Sequence, residues 1–150
     1  MTPEQLGISQ WQYNNLSKLA DVLDTVDDSG FDMVHFSVDS NGCKRGVSAP
    51  DPECATVACA AGHLPLVVEP HTSESTEDEW EGYVNRVTGV DVVSDIAGDL
   101  DGWDWLFITN WCRVDNTAKG AAQRIRYMLN KGIPNDASCQ IMGLKPLCYR

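Results

Sequence analysis

The chain has 150 residues, 43% of them hydrophobic and five of them tryptophan, which suits one globular domain and excludes a disordered chain. Its net charge of −11 is unevenly placed: residues 1–110 carry 20 acidic against 4 basic side chains, and residues 111–150 carry 2 against 7. Such a body repels nucleic acid and anionic membrane surfaces, suits a partner protein with a basic surface, and holds no run near the ~20 apolar residues of a membrane span.

Thr2-Pro3-Glu4-Gln5 has capping-box spacing with proline at the first helical position, and Ser9-Gln10-Trp11-Gln12 repeats it. Leu16, Leu19, Ala20, Leu23 and Val26 then recur at helical spacing, so the pattern predicts an amphipathic helix over 9–27, ended by Asp27-Asp28-Ser29-Gly30. Val34, Phe36 and Val38 alternate with polar residues before the turn Asp39-Ser40-Asn41-Gly42, which predicts at most a small β-hairpin near 34–48, with Gly46-Val47-Ser48 as a weak partner strand.

Pro50 and Pro52 interrupt the chain before Cys54-Ala55-Thr56-Val57-Ala58-Cys59-Ala60-Ala61-Gly62-His63, a run of small residues predicted to be a helix over 54–64 ended by Pro65. Cys59 and His63 then share a helix face, and Cys54 sits at the N-terminus, where partial positive charge lowers a thiol pKa. The favoured reading is a close-packing helix with reduced, buried cysteines and no cofactor. Zinc on Cys54, Cys59 and His63 is one alternative. The other is a cysteine hydrolase using Cys54 with His35 or His71, because His63 lies about 13 Å further along a helix. The six cysteines (43, 54, 59, 112, 139, 148) stand without a recognisable secretion signal, which favours thiols over disulfides and a cytosolic chain, or one exported inside a particle.

His71 to Glu79 has no apolar residue and reads as an exposed acidic loop. Thr76-Glu77-Asp78-Glu79 caps a helix striped by Trp80, Tyr83, Val84 and Val87 and stopped at Gly89. Glu74, Glu77, Asp78 and Glu79, with Trp80 and Tyr83 as aromatic anchors, form the candidate partner-binding segment. Asp91, Asp95, Asp99, Asp101 and Asp104 lack the closing Glu of a calcium loop, since Gly102 falls at the twelfth position. Trp103, Leu106, Phe107 and Trp111 recur at helical spacing and are expected to pack on the small-residue helix. Asp115-Asn116-Thr117 caps a helix over 117–131 with apolar face Ala121, Ala122, Ile125, Met128 and Leu129, while Lys119, Arg124, Arg126 and Lys131 read as its solvent face. Residues 135–150 show no period and read as an irregular tail on the body.

In order along the chain, Phe31-Asp32-Met33, the run Cys54 to His63, Trp105-Leu106-Phe107 and Thr117 to Pro134 resemble a loose group of short bacteriophage and bacterial proteins. That group usually has Cys-Gly-Thr where this chain has Cys54-Ala55-Thr56. The resemblance implies a phage or mobile-element setting, in an infected or lysogenic host or in a virion, and implies no activity. Together these readings predict one mostly α domain over 1–150, with four to six helices. Its expected role is a non-enzymatic binding protein, a host-directed inhibitor or particle component, acting through an acidic surface.

Overall fold

The computed structural model describes residues 1–70, 76–94, 98 and 100–134, and the side chains of Pro52 and Asn110 are left undescribed. His71, Glu74, Asp95, Asp99, Cys139, Cys148 and the tail over 135–150 therefore lie outside the described residues. The architecture is mostly α, as expected. Its helices are α1 (Pro3–Leu6), α2 (Gln10–Leu23), α3 (Glu77–Thr88), α4 (Gly102–Leu106) and α5 (Ala118–Lys131), joined by five short 3-10 segments among the described residues. Two two-residue strands, β1 (Ser37–Val38) and β2 (Val57–Ala58), pair antiparallel with Ser37 opposite Ala58 and Val38 opposite Val57.

Local capping decides where the long helices begin. Ser9 Oγ accepts from the Gln12 N–H while Gln12 Oε1 accepts from the Ser9 N–H, which satisfies two donors that the first turn leaves free. Thr76 and Thr117 each accept from the N–H three residues on, and α3 stops at Gly89, as its sequence predicts. The buried residues Leu16, Leu19, Ala20 and Leu23 make α2 the hub against which α3, α5 and the 3-10 segment Ala61–Leu66 pack. Asn15, buried on the same helix, donates Nδ2 to the Val87 carbonyl at 2.9 Å and so ties α2 to the end of α3. Nearly all of the buried apolar residues among those described form one cluster.

Four expectations need correction. The small-residue run is not a helix: Pro52–Cys54 is a 3-10 turn, Val57–Ala58 is β2, and Ala61–Leu66 is a second 3-10 segment. Alanine's helix propensity is overridden here because the small side chains admit other backbone at close range. The partner of β1 is therefore this run, not Gly46-Val47-Ser48, although Val38 also bridges to Lys44 around the expected turn at Asp39. The aromatic stripe splits into α4 and the 3-10 segment Thr109–Arg113; Trp105, outside the stripe, is buried, Trp103 is half-exposed, and α4 packs on α5. On α5, Arg126 reaches Asp21 of α2 and Asp24, the C-cap of α2, at the surface, whereas Arg124 is buried.

Ala55 has φ +49°, a left-handed backbone that joins the 3-10 turn to β2. An L side chain there costs ~1–2 kcal/mol, and glycine's greater unfolded-state freedom cancels part of any relief. Ala55→Gly should therefore stabilise the fold by ~0.5–1 kcal/mol, read as a higher urea midpoint at unchanged m-value. A loss of stability would show that the segment tolerates this φ without strain.

Candidate functional site

A cleft of about 260 Å³ opens where the segment 33–37, the loop at Lys44 and Arg45, the first turns of α3 and the α4 end meet. Its walls are aromatic. Phe36 stacks on Trp80 with ring centroids 5.3 Å apart and planes 3° apart, and Trp103 meets Phe36 edge-on at 6.2 Å. The α3 helix contributes Glu77 and Glu81 to the rim, one turn apart on one helix face. Opposite them, Lys44 Nζ lies 3.2 Å from Glu77 Oε1 across an exposed pair, and Arg45 Nη1 donates to the Ala49 carbonyl and to Thr56 Oγ1. Ser37 also lines the cleft, 2% exposed, and its Oγ has no hydrogen-bond partner. Most buried hydroxyls in proteins are satisfied.

The segment predicted to bind a partner divides. Glu77 and Asp78 are exposed and Glu79 is half-exposed, in the first turn of α3, where carboxylates also favour the helix dipole. Trp80 and Tyr83 do not join them at the surface. Trp80 is 2% exposed and donates Nε1 to the Arg45 carbonyl, while Tyr83 Oη donates to the Val68 carbonyl. Both rings stand on the apolar stripe of α3, so they belong to the core, with Trp80 as a cleft wall.

Of the two thiols expected to be buried, Cys59 is buried and Cys54 is not. Cys54 is exposed on the 3-10 turn, not buried at a helix start, and its Sγ donates to Asp51 Oδ2 at 3.4 Å. That hydrogen bond and the Asp51 charge push its pKa up, the opposite of a helix N-terminal thiol. Cys59 is buried, and desolvation raises its thiol to about 11. Neither environment favours thiolate at neutral pH. Cys43 and Cys112 are also free thiols. His35 is exposed at the cleft rim.

His63 points inward: its Nδ1 donates to the Cys59 carbonyl at 2.8 Å, and its ring stacks on Phe31. Its hydrogen bond is thus to the Cys59 backbone, not to the thiol. Among the described residues no group of three His, Cys, Asp or Glu is placed to hold a metal ion. No described helix is long and apolar enough to cross a membrane. No known protein family, curated protein or solved structure matches the chain.

Burial lowers the His63 pKa below its usual 6.5, against the opposing pull of the Cys59 carbonyl. The unfolded chain therefore binds this proton more readily than the folded one. Stability contributed by neutral His63 is complete above pH ~6.5 and declines as the pH falls below it. Asp24 and Asp27, whose carboxyl pKa values lie below 3.8, lose their contributions only in a more acid window. Urea midpoints between pH 7.5 and 5 should fall for the native chain and stay flatter for His63→Gln; equal slopes would remove His63 as the titrating group.

Proposed function

We propose that this chain is a non-enzymatic binding protein of phage or mobile-element type that captures a basic protein surface through its acidic body. The observation that carries this reading is the first turn of α3, which presents Glu77, Asp78 and Glu79 beside an open aromatic cleft. Among the described residues only Glu77 of the three is ion-paired, and that pair with Lys44 is exposed on both sides and holds little free energy. The net charge of −11 adds long-range attraction for such a partner.

An arginine-rich peptide serves as the test partner. Its association should slow as salt rises, because attraction between exposed charges is screened beyond a Debye length of about 8 Å at physiological ionic strength. Replacing Glu74, Glu77, Asp78 and Glu79 by glutamine or asparagine should slow association about tenfold. The same change should lower the Tm by only a few degrees, since each first-turn carboxylate contributes ~0.3–1 kcal/mol to the helix. Association indifferent to both salt and these substitutions would end the reading.

A further inference from the structure

We propose that the cleft between α3 and the segment 33–37 is a guanidinium pocket that takes one arginine side chain of the basic partner. This rests on the reading of the chain as a binder of basic surfaces and gives that reading a site. Three independent features of the cleft call for the same ligand chemistry. Glu77 and Glu81, one helical turn apart, both line it, and like charges at that spacing repel unless a cation lies between them. The cation now beside them, Lys44, reaches only Glu77 and does so through an exposed, readily exchanged pair.

The walls are planar. Phe36 and Trp103, both half-exposed, offer ring face and edge to a flat delocalised cation, which stacks on aromatic rings and carries donors in a fixed fork, and the buried Trp80 backs Phe36 from behind. An ammonium has neither property. The third feature is Ser37, a cleft-lining residue whose buried hydroxyl has no partner within the fold and, once its side chain turns toward the cleft, can accept from an incoming N–H. Arg45, the other cation at the cleft, is already engaged by the Ala49 carbonyl and Thr56 Oγ1, so it does not supply that donor through Nη1.

The test uses the full chain and N-acetyl-arginine amide, followed through the Trp80 and Trp103 indole N–H resonances. N-acetyl-citrulline amide, of the same shape without charge, is the control. The arginine amide should shift the Trp103 resonance saturably and the citrulline amide should not. Glu81→Gln, an exposed change, should weaken binding about tenfold, and Trp103→Leu several-fold. Equal shifts with citrulline, shifts with N-acetyl-glutamate amide in place of arginine, or no shifts at all would overturn the pocket. If the arginine-rich peptide binds through Asp78 and Glu79 but ignores Glu81 and Trp103, the acidic surface stands and the pocket falls. If the arginine amide fills the cleft while peptide association ignores salt and Asp78, the pocket stands and the acidic-surface reading falls.

Discussion

Gly62→Ala should destabilise the fold by about 3 kcal/mol, at the upper end of what one added methyl group costs in a packed interior. A Cβ on Gly62 would lie 1.7 Å from the Phe36 carbonyl oxygen and 2.8 Å from both the Phe36 carbonyl carbon and the Ala58 Cβ. Two of these three atoms are backbone, so no side-chain rotation relieves the contact. Relief has to move residue 36 away from the 3-10 segment Ala61–Leu66, and residue 36 leads directly into β1. The β1–β2 pairing and the Phe36 wall of the cleft should therefore loosen together, and ligand shifts at Trp103 should weaken along with stability. Gly82 provides the control: it sits within α3, and a Cβ there meets nothing within 4 Å. Gly82→Ala should stabilise by ~0.5–1 kcal/mol through helix propensity alone. Urea midpoints of the two variants separate the effects. A Gly62→Ala loss below ~1 kcal/mol would show that the close approach is not needed for the fold.

This close approach also explains why part of the fold was legible in the sequence and part was not. The starts of α1, α2, α3 and α5 rest on the caps Thr2, Ser9, Thr76 and Thr117, each of which accepts from the N–H three residues on, so local chemistry decides them. The buried stripes of α2 and α5 follow from a period that any helix must obey. The run from Cys54 to His63 obeys no local rule. Gly62 is small because the Phe36 carbonyl passes against it, and Ala58 is small beside it under the pairing with Ser37 and Phe31, but helix propensity reads the smallness of this alanine-rich run as a helix. The left-handed Ala55 and the positions Pro52 and Pro65 all disfavour a continuous helix there, but only contacts with residues 31–38 show what replaces it. Trp105 was hidden for a related reason: the chain turns at Phe107, so the helical period that runs through Trp103 does not continue to Trp111. At the cleft, Glu77 was visible as part of an acidic run. Ser37, Lys44 and Trp103 come from distant segments that only the tertiary fold brings together.

Trp111→Ala should cost about 4 kcal/mol, and Arg124→Met should leave stability unchanged or raise it by ~1 kcal/mol. Trp111 is fully buried, donates Nε1 to the Trp105 carbonyl at 2.9 Å and meets the Trp105 ring edge-on at 5.5 Å. Its face carries the Arg124 guanidinium, 3.8 Å from the ring centroid. Arg124 is only 4% exposed; its Nε and Nη2 have no hydrogen-bond partner, and its nearest carboxylate, Asp115, lies 3.9 Å away and is partly solvated. Burial lowers its pKa to about 10 despite that carboxylate, so the charge is held at a cost that the Trp111 ring offsets only in part. Methionine keeps the apolar stem against the ring and removes the charge, and the Asp115 left behind is exposed enough to stay hydrated. The two substitutions should therefore couple. Once the ring is gone, Arg124 loses its one favourable electrostatic contact beyond Asp115, so Arg124→Met should recover more stability in the Trp111→Ala background than it adds to the native chain, by ~0.5–1 kcal/mol. Denaturant midpoints of the four chains measure this coupling directly. A loss of 2 kcal/mol or more on Arg124→Met alone would show instead that the Arg124–Asp115 pair holds α5 in place, and the burial of this arginine would then be a source of stability.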